Sequence, residues 1–179
     1  GSSNTSSFRI HIGSDSETYS YNGAYPLHIA IENGASLDVV TLLSRFAPDV
    51  LMNGDGMGSV PLSLAIKANA SSDIVNLLLS VNSSAASVPD HRFNLPLHVA
   101  CVSSFGRESS KSRRASYCLK TLSALLSAFP KAAHTCNFNG RTPLELAQNG
   151  GLFDDDAISL LHENAYNEND SDVQEVPWL

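Results

Sequence analysis

Apolar positions along the 179-residue chain fall into pairs of short blocks. The first block of each pair opens on Pro-Leu: Pro26-Leu27-His28-Ile29-Ala30-Ile31, Pro61-Leu62-Ser63-Leu64-Ala65-Ile66, Pro96-Leu97-His98-Val99-Ala100-Cys101 and Pro143-Leu144-Glu145-Leu146-Ala147-Gln148. The four prolines lie 35, 35 and 47 residues apart, the last interval being 35 plus an insertion of 12. Proline suits the first position of a helix, where its missing N–H would have had no intrahelical partner. The Leu and Ala of each block lie three apart and share a helix face, with the small Ala admitting a close neighbour. Each block therefore predicts a short helix.

A second helix follows in each unit. The pattern predicts Leu37 to Phe46 with Ser36 as N-cap, and Asp73 to Val81 capped by Ser71 or Ser72. It predicts Tyr117 to Phe129, stopped by Pro130, and Asp154 to Asn164, whose leading aspartates suit the positive end of the helix dipole. Turn-forming residues precede each proline: Asn22-Gly23, Asp55 with Gly58, Asp90, and Asn137 with Gly140. Helix, turn, helix and connector at a constant period predict an all-α solenoid of paired antiparallel helices.

At these residues the sequence resembles the ankyrin repeat family, whose signature is Thr-Pro-Leu-His-x-Ala at a 33-residue period. Leu95 to Cys101 and Asn139 to Leu144 are close copies, and the match spans roughly residues 20 to 162. Repeats are expected near 20–54, 55–89, 90–136 (with the insertion at about 103–116) and 137–164. The resemblance implies hairpin loops between repeats and a protein partner, or a peptide segment of one, held by the hairpin tips and the concave helix face. Carried over by register, the hairpin positions are Tyr21, Asn22, Ala24, Met57, Ser59, His91, Arg92, Asn94, Phe138, Asn139 and Arg141. Glu32, Asn33, Lys67, Val102 and Ser103 stand at the helix ends. Tyr21, Met57, His91, Arg92, Phe138 and Arg141 are the expected anchors, because aromatic and Arg side chains dominate binding hot spots.

This chain departs from the family pattern in two ways. The family's Thr–His bond has no intact counterpart, since His28 and His98 follow Tyr25 and Leu95 while Thr142 meets Glu145. Phe93 stands where the other units have Gly23, Gly58 and Gly140, which puts regular hairpin geometry there in doubt. The segments flanking the repeats differ in character. Residues 1–7 look like a cloning remnant or a disordered end. Phe8 to Ser20 begins with strand-like alternation and is expected to cover the first repeat. Residues 165–179 are expected to form a flexible acidic tail ending Val176-Pro177-Trp178-Leu179, and that tetrapeptide has the character of a docking segment.

Charge sharpens this picture. The net charge is −7, from 11 Lys+Arg against 18 Asp+Glu. Residues from Phe153 onward hold eight of the acids and no Lys or Arg, so the repeat body is nearly neutral. Four bases, Arg107, Lys111, Arg113 and Arg114, crowd the insertion. Arg113-Arg114-Ala115-Ser116 fits the pattern of basophilic kinases, making Ser116 a candidate phosphorylation site at the expected start of the following helix. With acidity dominating overall, nucleic acid is not the expected partner.

No chemistry-bearing constellation stands out. Cys101, Cys118 and Cys136 fit neither a disulfide framework nor a zinc spacing, and read as small buried hydrophobes of a reducing compartment, cytoplasmic or nuclear. Gly54-Asp55-Gly56-Met57-Gly58 lacks the Gly-Lys-Ser/Thr ending of a phosphate loop. No apolar run reaches the roughly 18 residues of a membrane span. The expectation is a monomeric, non-enzymatic protein-interaction module without metal or cofactor. The alternative is a regulatory domain of a larger enzyme or channel.

Overall fold

The computed structural model describes residues 23–103, 111–150 and 153–166. These residues are all-helical: eight α-helices, with three 3-10 turns and no strand among them. The helices are α1 (Pro26–Glu32), α2 (Leu37–Phe46), α3 (Pro61–Lys67), α4 (Ser72–Val81), α5 (Pro96–Val102), α6 (Lys111–Ala128), α7 (Pro143–Gly150) and α8 (Asp155–Ala165). The expected covering segment Phe8 to Ser20, the hairpin residues Tyr21 and Asn22, and the last thirteen residues of the tail lie outside the described residues.

Each odd-numbered helix starts on its proline and packs against the next odd-numbered helix; the even-numbered helices do the same, and each pair also packs internally. Two helical layers result. The core runs between them through Leu27, Leu62, Leu97 and Leu144, the signature leucines, and through Val40, Val75, Leu122 and Leu161 of the longer helices. Helix α3 sits inside the stack, and Pro61 to Ile66 are buried on every side. Helices of seven to ten residues are marginal alone in water, so burial against neighbours has to supply their stability.

The short 3-10 turns are elements that the periodicity does not predict. They follow α2, α4 and α6 at Pro48–Met52, Ser83–Ser87 and Pro130–Ala133. Each drives two apolar residues inward, Val50 and Leu51, Ala85 and Ala86, Ala132 and Ala133. Helix ends are closed in the ways the sequence allows. Gly34 and Asn69 take left-handed conformations after α1 and α3, and Ala35 N–H and Ala70 N–H reach back to Ala30 O and Ala65 O. Asp154 accepts from Ala157 N–H at 3.0 Å and caps α8, which runs one residue beyond its predicted end.

Two expectations need correction. Helix α6 begins at Lys111 rather than near Tyr117, so the second half of the basic insertion is helical and only 104–110 fall outside the described residues. Ser116 is thus an exposed residue of the second turn, not an N-cap, and a phosphate there lies beyond the first turn where the helix dipole acts. Phe93 does not break its hairpin. It adopts φ +58°, the conformation taken by Gly23, Gly58 and Gly140 at φ +77°, +77° and +68°.

A left-handed backbone costs an L-residue with a Cβ about 1–2 kcal/mol, part of which glycine gives back as unfolded-chain entropy. Phe93→Gly is therefore expected to stabilise the chain by up to about 1 kcal/mol, raising its melting temperature by about 2–4 °C. Thermal unfolding followed by circular dichroism measures this.

Candidate partner-binding surface

Three turns of identical construction precede α3, α5 and α7. In each, one side-chain oxygen at the first position accepts two backbone N–H groups. Asp55 Oδ1 takes Met57 N and Ser59 N, both at 2.8 Å; Asp90 Oδ1 takes Arg92 N and Asn94 N, both at 2.8 Å. Asn137 Oδ1 takes Asn139 N at 3.0 Å and Arg141 N at 3.1 Å. A backbone bond closes each turn, from Asp55 N to Ser59 O, Asp90 N to Asn94 O and Asn137 N to Arg141 O. The left-handed residue at the fourth position completes the reversal.

The turns are also tied to one another. His91 N–H donates to Met57 O at 3.1 Å, and Phe138 N–H donates to Arg92 O at 2.9 Å. Asn137 Nδ2 donates to Asn94 Oδ1 at 2.9 Å, and Asn94 Nδ2 donates to Asp90 Oδ2 at 3.1 Å. The turn at Gly23 joins the same row: a Cβ there would stand 2.8 Å from Gly56 N, too close for any side chain. These links fix the turn tips as a continuous ridge, and the side chains that the ridge does not consume face water. Met57, Phe93 and Phe138 are 59, 50 and 76% exposed, and His91, Arg92, Asn139 and Arg141 are exposed beside them.

Two buried histidines anchor this ridge to the helices. His28 Nδ1 accepts from Tyr25 N–H at 3.2 Å, which places the proton on Nε2, and Nε2 donates to Asn53 O at 3.0 Å. His98 repeats the pattern, accepting from Leu95 N–H at 3.2 Å and donating to Arg141 O at 3.2 Å. Each imidazole thus caps its own helix and clasps the chain flanking the following turn. In α7 the same service falls to a capping box: Glu145 Oε2 accepts from Thr142 N and Thr142 Oγ1 accepts from Glu145 N, at 3.2 and 3.3 Å. The histidines need no threonine.

The sequence-predicted residues separate accordingly. Met57, His91, Arg92, Phe138, Asn139 and Arg141 gather on the ridge with side chains exposed. Ser59 and Asn94 are half-buried parts of the turn framework, and the Asn94 amide is consumed there. Glu32, Asn33 and Lys67 sit at the opposite ends of α1 and α3, roughly 10 Å away along helices of seven residues. Asn33 donates back to Ile29 O at 2.8 Å, whereas Glu32 lines an open cleft of about 370 Å³ with Gly34, Ala35, Asn69 and Ala70. That cleft lies apart from the ridge. Phe93 is an exposed ridge side chain absent from the expected anchors; an aromatic at a glycine position is the signal that could have found it.

Among the described residues no three His, Cys, Asp or Glu side chains come together as metal ligands, and no helix is long and apolar enough to cross a membrane. Cys101 and Cys118 are buried, and burial holds the Cys118 thiol up at about 12 and pushes Cys101 higher still, so neither forms a thiolate near neutrality. Cys136 departs from the expectation of burial and is exposed. No family model matches the chain, and no curated protein matches it.

Two outcomes follow. Burial lowers the pKa of His28 and His98 below 6.5, against the opposing pull of the Asn53 and Arg141 carbonyls and of Asp55, Glu32 and Asp90. Near pH 6.5 the unfolded chain then binds more protons than the folded one. Stability is complete above that pH and falls as the solution is acidified toward the lowered folded values, by at most about 1.4 kcal/mol per pH unit for each histidine. Urea unfolding between pH 7.5 and 5 should show this slope, reduced in a His28→Gln/His98→Gln variant. Separately, iodoacetamide should label one cysteine of the native chain, Cys136, and all three in denaturant, as counted by mass spectrometry.

Proposed function

We propose that the chain is an ankyrin repeat module, a helical solenoid that binds another protein or a peptide segment of one and does no chemistry itself. The observation that carries this reading is the ridge of coupled turns. Its backbone is fixed by hydrogen bonds within and between turns, so a partner would meet a surface with little conformational freedom left to lose. Its exposed side chains are of the hot-spot type, apolar and aromatic at Met57, Phe93 and Phe138 and cationic at Arg92 and Arg141. The fitting partner is a segment that combines large apolar side chains with carboxylates. Four Pro-Leu units in register support the family reading, and the alternate packing of odd and even helices supports the solenoid.

The test is a Met57→Ala/Arg92→Ala/Phe138→Ala variant compared with the wild type against a partner recovered from the source cells. Affinity is expected to fall at least about 100-fold, since single hot-spot truncations commonly cost 2 kcal/mol or more. The far-ultraviolet spectrum and unfolding midpoint should stay unchanged, because none of the three side chains is buried. Undiminished binding would place recognition elsewhere.

A further inference from the structure

The cleft beside Glu32 has a filled counterpart one unit further along the stack. After α1 and α3, Gly34 and Asn69 turn left-handed, and Ala35 N–H and Ala70 N–H close back onto Ala30 O and Ala65 O. Ala35 and Ala70 are thus the same residue of two like turns, one 35-residue period apart. Their carbonyls are used differently. Ala70 O accepts the phenol O–H of Tyr117, which reaches back from α6 onto the preceding unit. Ala35 O accepts no hydrogen bond among the described residues, and Ala35 lines the open cleft.

The residues explain the difference. Aligned by their last residues, Val81 and Ala128, α4 and α6 also match buried Val75 with Leu122 and Leu78 with Leu125. In that alignment Tyr117 stands at the position of Ala70. The Ala70 methyl is too short to reach Ala35 O as Tyr117 reaches Ala70 O. Helix α6 also starts early, at Lys111, whereas α4 starts only at Ser72. The space left open is about 370 Å³, walled by Ile31, Leu37 and Ile74 with Glu32 at its side. That volume is near the lower end of the roughly 300–1,000 Å³ typical of ligand pockets, and admits one large side chain. Apolar walls around a carbonyl acceptor suit a group with an aromatic body and a single donor at its tip.

We propose that the cleft is a second docking site, which takes a tyrosine side chain of a partner protein. The tyrosine O–H donates to Ala35 O as that of Tyr117 does to Ala70 O. Glu32 favours a Lys or Arg next to that tyrosine. The site lies away from the turn ridge, at the other ends of α1 and α3, and does not depend on the ridge being a binding surface.

The probe is acetyl-Tyr-Arg-amide, titrated into the full chain while backbone amide shifts are followed by nuclear magnetic resonance. Saturable shifts are expected at Gly34, Ala35, Ala70 and Ser71, with a Kd on the order of 1 mM for so small a ligand. Acetyl-Phe-Arg-amide, which lacks only the hydroxyl, should bind about fivefold more weakly, the equivalent of one hydrogen bond. Ala70→Tyr places a large side chain in the cleft from within and should abolish the shifts while the variant keeps its helical far-ultraviolet spectrum. Absent shifts at these amides, equal affinity for the two probes, or undiminished binding to folded Ala70→Tyr overturns the proposal. Without probe, the cleft amides should not move with protein concentration. Movement accompanied by a sedimenting dimer would give the cleft to a second copy and would equally overturn it.

Discussion

A helix pair in this protein cannot bury its own apolar surface, and everything else in the architecture answers to that. In the first two pairs, seven to ten residues per helix give too little internal hydrogen bonding to hold an isolated pair. An inner pair carries apolar residues toward the pair before it and toward the pair after it, as α3 shows in the burial of Pro61 to Ile66. Stability is thus a property of interfaces between neighbouring helices. The ends of such an array are its weak points. Acidic residues lead α8, whereas Leu42 and Phe46 of the first pair have no cover among the described residues.

Stacking at constant period also forces the connecting turns into register, and the turns convert that register into a surface. One oxygen of Asp55, Asp90 or Asn137 holds two amides, which leaves the turn with one conformation. The bonds from His91 to Met57 and from Phe138 to Arg92 then join successive turns. His28 and His98 close the connection inward, because both ring nitrogens are engaged and the side chains are fully buried. The rigidity of the ridge and the stability of the stack therefore draw on the same bonds.

Much of this was legible in the sequence, for a definite reason. Proline at the first helical position and a fixed period mark helix starts, and the apolar spacing delimits Leu37 to Phe46. Turn residues announce the connectors. The features that escaped depend on tertiary context. Lys111 to Ser116 carries no apolar periodicity, yet α6 extends through it, because good helix formers propagate a helix whose far end is already packed. The left-handed Phe93 is imposed by turns on both sides, against its local preference. Cys136 reads like its two buried counterparts until the fold sets it on the surface. The division of the predicted site between free side chains and framework, Met57 against Asn94, needed coordinates because the residue types alone do not reveal it.

We propose the turn ridge as the recognition surface. Hydroxyl-radical footprinting addresses it directly, since Met57, His91, Phe93 and Phe138 are reactive side chains that face water. Tyr166, at the end of α8, and Met52, outside the ridge turns in the 3-10 turn after α2, are exposed and serve as internal references. With the partner bound, oxidation at Met57, His91, Phe93 and Phe138 should fall while Met52 and Tyr166 hold their rates. Unchanged oxidation along the ridge, with protection at the references or around the Glu32 cleft, would contradict the account.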